Sequence, residues 1–191
     1  MAAEQDSRPD PECRPENIDG PVPAGRQPVI EDPDHLPACT MQPVGVVHSP
    51  YRNHFDTPRQ PAVAAQCDGW VVLRRGLQNL ARDLRGFERI WILFQFNYSR
   101  GWRHTVVPPR DNIPRGLFAT RCPHRPNPIG LSCVRLLNVV GRKILIRDHD
   151  LLHGTPVLDI KPYLPYCEAW PDAAAGWVDE LTHPGPDHRW E

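Results

Sequence analysis

Arg121-Cys122-Pro123-His124-Arg125-Pro126-Asn127-Pro128-Ile129-Gly130-Leu131 is the stretch on which the architecture turns. Its prolines, Pro123, Pro126 and Pro128, hold φ at roughly −65° and remove backbone donors, which excludes both a helix interior and a central strand. The segment is therefore a stiff, extended loop. The apolar run Gly116-Leu117-Phe118-Ala119-Thr120 precedes it and Leu131 to Val140 follows, so the loop is expected between two buried strands. It carries Arg121, Arg125 and Asn127. Prolines lower the entropy lost on ordering, so polar groups on such a loop are held ready for a ligand. A plain surface connection with solvated arginines is the other reading of the same residues.

A second loop of this kind lies upstream. In Thr57-Pro58-Arg59-Gln60-Pro61-Ala62-Val63 a proline on each side pins Arg59 and Gln60 in extended backbone. Two such loops could face each other across a pocket. Between and after them come short strand patterns: Val44 to His48, Trp70 to Leu73, Ile90 to Phe96, Thr105 to Val107, and Lys143 to Arg147 after a Gly141-Arg142 hairpin turn. Val157 to Tyr163 alternates as a last strand. Ile90 to Phe96 is the most apolar run and reads as a central buried strand. Leu77, Leu80, Ala81 and Leu84 fall at helical spacing and predict one brief amphipathic helix ending near Gly86. Many short strands, one short helix and abundant turn residues predict an all-β or β-rich fold, a small antiparallel barrel. No Gly-x-Gly-x-x-Gly follows a strand, so a dinucleotide fold is not expected.

The formal charge of −1 hides a strong asymmetry. Residues 1–40 hold nine acidic side chains against three arginines, and 171–191 hold five against one, so the middle of the chain is basic. That distribution suits a binder of nucleic acid or phosphate with solubilising ends; arginine-rich composition would also follow from the base composition of the gene. Residues 1–40 carry eight prolines and no apolar period, and read as a disordered acidic leader. The ordered domain is expected over 41–171, with an acidic tail over 172–191. No stretch approaches ~18 consecutive apolar residues, so no membrane span is expected. The first residues lack the basic start and apolar core of a secretory signal. Six scattered cysteines without a Cys-x-x-Cys pair suit a reducing compartment and argue against a disulfide frame or a zinc site.

Two chemistries can be weighed on spacing. His149 and His153, with Asp148 and Asp150 beside them, face one side only on a helix, and Gly154-Thr155-Pro156 argues against a helix there, so no metal is expected. Cys122 has His124 close by in sequence, but such neighbours do not orient a thiol and a base. What remains is polar loops with Arg, Asn, Asp and Tyr around an apolar barrel. That suits a reaction in which a cofactor brings its own leaving group and the protein positions two partners.

Gln42-Pro43-Val44-Gly45, Ser49-Pro50-Tyr51, Thr57-Pro58-Arg59-Gln60-Pro61, Phe87 to Phe96, Gly101-Trp102-Arg103, Val107-Pro108-Pro109-Arg110, Phe118-Ala119-Thr120-Arg121, Arg125 to Leu131 and Gly154 to Tyr163 follow one another in this order. From about Gln42 to Pro171 the chain resembles the TsaA-like (YaeB-like) family, the tRNA N6-threonylcarbamoyladenosine methyltransferases. The resemblance implies a small S-adenosylmethionine-dependent β-barrel methyltransferase, homodimeric and cytoplasmic, acting on the modified adenosine at position 37, beside the anticodon of tRNA. By motif matching, the cofactor would lie against Arg59, Gln60, Pro61, Ala62 and Val63, then Asn97 and Tyr98, then Arg121 and Leu131, and the turn Arg147, Asp148, His149 and Asp150. Arg125 and Asn127 would shape the same pocket. Asp159 or Asp150 would take the proton from the acceptor, Lys161 and Tyr163 would orient the base, and Arg103, Arg110 and Arg115 would hold anticodon-loop phosphates. Asp159 and Lys161 have a plainer reading as a solvent-facing pair on one strand. Asn97 and Ala62 depart from the family's usual His and Gly, and the loop after Arg110 is shorter. These departures keep two alternatives open: a methyltransferase for another RNA nucleoside or a small molecule, and a non-catalytic module binding S-adenosylmethionine or RNA.

Overall fold

The structure is a computed structural model that describes residues 32–64, 66–109 and 111–181. The leader reading therefore falls almost wholly outside the described residues, as do Arg110 and the end of the acidic tail. The chain divides after Thr40. Of the first part, a 3₁₀ turn at Pro33–His35 is described, its start capped by the Asp32 carboxylate, which accepts from the Asp34 amide at 3.0 Å.

The second part is built on a closed six-stranded antiparallel barrel, as the strand pattern predicts. In chain order the strands are β1 (Gly45–His48), β2 (Asp68–Leu73), β3 (Arg89–Gln95), β4 (Thr105–Val106), β5 (Arg115–Gly116), β6 (Ile129–Val140), β7 (Lys143–Arg147) and β8 (Pro156–Pro162). Around the barrel they run β1, β2, β7, β6, β3, β8 and back to β1, while β4 and β5 form a separate two-stranded arm. Closure leaves no sheet edge exposed for pairing with another chain. Alternate residues point inward: Val47, Val71, Ile90, Ile92, Val134, Ile144, Ile146 and Val157 are fully buried. Gly141, with φ +58°, occupies the first position of the two-residue β6–β7 turn, where the positive angle favours glycine.

Strand direction decides where the site sits. β1, β3 and β7 all finish, and β2, β6 and β8 all begin, at one end of the barrel. The three long connections, 49–67, 96–128 and 148–155, therefore gather at that end. The 96–128 connection is pinched at its base, where the Phe96 amide donates to the Pro128 carbonyl at 2.8 Å.

Three local expectations differ from the structure. Residues 77–86 are not one helix but two 3₁₀ turns, Gln78–Ala81 and Leu84–Gly86. Leu77, Ala81 and Leu84 pack against the core and Leu80 is exposed, so the apolar side is buried by two tight turns without an α-helix. Among the described residues the single short α-helix, α1, lies instead at Pro165–Glu168. Leu117–Ala119 is a 3₁₀ turn rather than a strand; it buries Leu117 and leaves Phe118 exposed. Finally, β3 is buried on one face only: Ile90, Ile92 and Phe94 enter the barrel, whereas Arg89, Trp91 and Leu93 face outward. Its apolar run is continuous because Trp91 packs against Tyr163 on the outside, at 5.8 Å between ring centroids.

Inside the barrel Phe94 lies directly against Gly130, its partner on β6. A β-carbon at Gly130 would collide with the Phe94 ring. Gly130→Ala should therefore lower stability by about 1–3 kcal/mol in urea denaturation, and adding Phe94→Leu should return part of the loss.

Candidate functional site

Gln60 Oε1 accepts from Arg121 Nη1 at 2.9 Å, which joins the two proline-braced loops. They border a cleft of about 790 Å³ that runs from the loop end down the outer wall of the barrel. Its upper part is lined by Gln60, Pro61, Ala62, Arg121, Ser132 and Asp148, and its lower part by Leu131, Trp91, Tyr163, Arg89, Arg135 and Glu168. The volume is that of an ordinary small-molecule site, but the lining is strongly polar: Arg89, Arg121, Arg135, Arg147, Asp148 and Glu168 stand beside Trp91, Tyr163 and Leu131. Of the residues singled out for a cofactor, Gln60, Pro61, Ala62, Arg121, Leu131, Arg147 and Asp148 line this cleft, as does Tyr163.

Others serve it from behind. Arg59 Nη1 is shielded from water and has no hydrogen-bond partner, an unsatisfied donor at the base of the first loop. Val63 closes the 3₁₀ turn Pro61–Val63. Asp150 accepts from Ser132 Oγ at 2.6 Å. Burial raises the Asp150 carboxyl to about 6, opposed by the Ser132 hydrogen bond and by the charge of Arg121. His149 is fully buried, its Nδ1 accepting from the Leu151 amide at 3.3 Å. Desolvation lowers its pKa, so it is a neutral packing residue at pH 7. Only glycine at position 69 leaves it room, since a β-carbon there would lie 2.5 Å from His149 Nε2.

Arg125 and Asn127 do not line the cleft. Arg125 turns back on its own loop, donating to the carbonyls of Thr120 at 2.9 Å and Leu117 at 3.3 Å, with its guanidinium 5.4 Å from the Phe118 ring centre. It shapes the loop rather than the pocket. Asn127 is exposed, and Tyr98 projects into solvent beside the half-buried Asn97. Asp159 and Lys161 pair with each other at 2.8 Å on the outer face of β8, the plainer arrangement their spacing suggests. Arg103 is exposed. Arg115 is committed to Asp111 at 2.7 Å and lies 5.3 Å from the Trp177 ring centre. His149 and His153 do not share a ligand; His153 Nδ1 accepts from the Ser49 amide at 3.3 Å. Among the described residues no group of three or more His, Cys, Asp or Glu could hold a metal, and no helix is long and apolar enough to cross a membrane. The five described cysteines are free.

Trp91, Ser132, Arg89, Arg135 and Glu168 were not singled out by sequence. Trp91, Ser132, Arg89 and Arg135 belong to the cleft because β3 and β6 pair along it, and Glu168 of α1 joins them through the Trp91 indole; nothing in local composition announces either.

Residues 46–169 match the family model of the tRNA-methyltransferase O N-terminal domain. The chain belongs to that family. It is 43% identical over 148 residues to the tRNA (adenine(37)-N6)-methyltransferase of Escherichia coli, covering 72% of this chain and 63% of that protein. It is 37% identical over 142 residues to a probable S-adenosyl-L-methionine-binding protein of Pyrococcus abyssi, covering 74% of this chain and 77% of the relative. A crystal structure of TrmO from Pseudomonas aeruginosa superposes with a TM-score of 0.62 at 35% identity, covering 73% of this chain and 62% of that one. The chain thus spans somewhat under two thirds of the Escherichia coli and Pseudomonas aeruginosa proteins just compared.

The raised Asp150 carboxyl makes a signed stability prediction. The fold favours its protonated form, so its ionisation costs the folded state stability as pH rises from about 4 through 6. Asp150→Asn should therefore stabilise the fold at pH 7.5 relative to the parent by on the order of 1–3 kcal/mol and so raise its melting temperature, and the gain should shrink towards pH 4. Scanning calorimetry at the two pH values checks this.

Proposed function

We propose that this chain transfers a methyl group from S-adenosylmethionine to N6 of N6-threonylcarbamoyladenosine at position 37 of tRNA. The observation that carries the reading is the joining of the two motif loops through Gln60 and Arg121 over one cleft. The relatives' names support both cofactor and acceptor.

The residues present suit the cofactor. Arg121 offers donors for a carboxylate, and Trp91 and Leu131 offer surface for a purine. S-adenosylmethionine brings an electrophilic methyl on a sulfonium, so the protein's task is alignment and removal of one proton from the acceptor nitrogen. Asp150 is the better candidate for that proton than Asp159, which is neutralised by Lys161 on the outer face. Ser132 holds Asp150 Oδ1, leaving Oδ2 to accept. Tyr163 lines the cleft and orients the acceptor base. Arg103, together with the exposed rings of Tyr98, Trp102 and Phe118, provides the cationic and stacking surface that single-stranded RNA recognition uses. Exposed Ile129 on the outer face of β6 gives a second copy an apolar contact, and we place the homodimer in the cytoplasm with its tRNA.

The test is methyl transfer from labelled S-adenosylmethionine to tRNA, read by mass spectrometry of the nucleosides. The expected product is the N6-methylated threonylcarbamoyladenosine, and Arg121→Ala should lower kcat/KM by at least about tenfold. Cofactor binding without transfer to any tRNA would contradict the reading and favour a non-catalytic module. With Asp150 as base, the rate should climb towards pH 6 and level off above it, and Asp150→Asn should abolish that limb. Light scattering should give twice the chain mass in solution; a monomer that retains full activity would remove the dimer from the account.

A further inference from the structure

The outer wall of the barrel carries a charge arrangement that strand pairing does not need. The register sets Arg89 of β3 opposite Arg135 of β6, and Arg135 opposite Arg147 of β7. All three face outward, because their inward-facing neighbours are Ile90, Val134 and Ile146. At the usual strand spacing their stems fall within about 10 Å of one another. Like charges directly opposite on neighbouring strands destabilise a sheet, so the row works against the fold that displays it.

The counter-charges are unevenly shared. Arg147 is held in two hydrogen bonds by Asp68, at 2.6 and 3.0 Å. Arg135 has only Asp148 among the described residues, at 3.8 Å from Nε, too long for a hydrogen bond. That Nε is closed off from water and has no hydrogen-bond partner. Among the described residues Arg89 is in no ion pair; its charge opposes the burial that raises the neighbouring Cys133 thiol. Glu168, also on the cleft wall, is already engaged by the Trp91 indole at 3.0 Å and the Leu164 amide at 2.6 Å. Two guanidinium groups thus stand side by side on the cleft wall, with the Asp148 and Glu168 carboxylates on the same wall but neither hydrogen-bonded to them among the described residues.

We propose that Arg89 and Arg135 form an oxyanion site for the RNA substrate, taking either a backbone phosphate or the carboxylate of the threonylcarbamoyl group. The proposal rests on the methyltransferase reading above and adds the part of the substrate that the lower cleft recognises. Guanidinium pairs suit both anions, and the two sources are separable.

Fluorescence anisotropy with an anticodon stem-loop carrying either adenosine or its threonylcarbamoyl form at the acceptor position provides the test. Arg135→Gln and Arg89→Gln should each weaken binding of the threonylcarbamoylated RNA roughly tenfold. If the anion is a phosphate, both RNAs lose affinity equally, the salt slope falls by about 0.7–1, and Arg135→Lys keeps most of the binding. If it is the carboxylate, only the threonylcarbamoylated RNA loses affinity and lysine does not restore it. In either case the melting temperature of Arg135→Gln should equal or exceed the parent's, because repulsion is relieved. Unchanged affinity for both RNAs in both glutamine variants overturns the site. So does a loss confined to S-adenosylmethionine binding in calorimetry, or a fall in melting temperature that accounts for the weaker binding. Failure of the parent protein to methylate tRNA would defeat the enzyme reading itself, whereas a parent that methylates while the variants bind normally defeats only the oxyanion site.

Discussion

The pairing of β1 with β8 closes the barrel, and every feature of the site depends on that closure. With six antiparallel strands in a ring, half of the connections must emerge at each end. Here the two proline-braced loops and the turn after β7 all emerge at the same end, so Gln60 and Arg121, 61 residues apart, meet. Residues that are scattered in sequence become one cleft through strand direction alone. The core that maintains this ring is a set of inward-facing aliphatic side chains, packed closely enough that Gly130 has no room for a methyl group beside Phe94.

On this frame the loops are stiffened from within. Arg125, Thr120 and Trp177 all donate to carbonyls of the turn Leu117–Ala119 or its cap, so the segment entering Arg121 is braced on several sides. Such bracing reduces what must be ordered when a ligand arrives. The charges beside it carry a different logic. A carboxyl raised by burial at Asp150, an unsatisfied donor at Arg59 and a row of arginines across β3, β6 and β7 each cost the free protein stability. Costs gathered at one cleft are characteristic of a site selected for binding and chemistry rather than for stability.

Much of this was legible in the sequence, for identifiable reasons. Period-two alternation and turn residues gave the barrel, and the prolines around Arg59 and Arg121 marked the loops that meet. The spacing of Leu77, Ala81 and Leu84 marked residues that do pack on the core, but it did not reveal that two 3₁₀ turns rather than an α-helix present them. Arg125 looked like a pocket residue because its direction is set by carbonyls of a turn that sequence does not reveal. Trp91, Ser132, Arg89 and Arg135 stayed hidden for another reason. Their shared position follows from cross-strand register, which is a non-local property, and an outward-facing Trp within an apolar strand reads as core until the partner strands are known.

The central claim is that the Gln60–Arg121 contact builds the cofactor's binding wall. A double-mutant cycle on this pair, read by calorimetric titration with S-adenosylmethionine, tests it most directly. Gln60→Ala, Arg121→Ala and the double variant should lose affinity by similar factors, because either change dismantles the same wall. A double variant that binds the cofactor as tightly as the parent would contradict the claim.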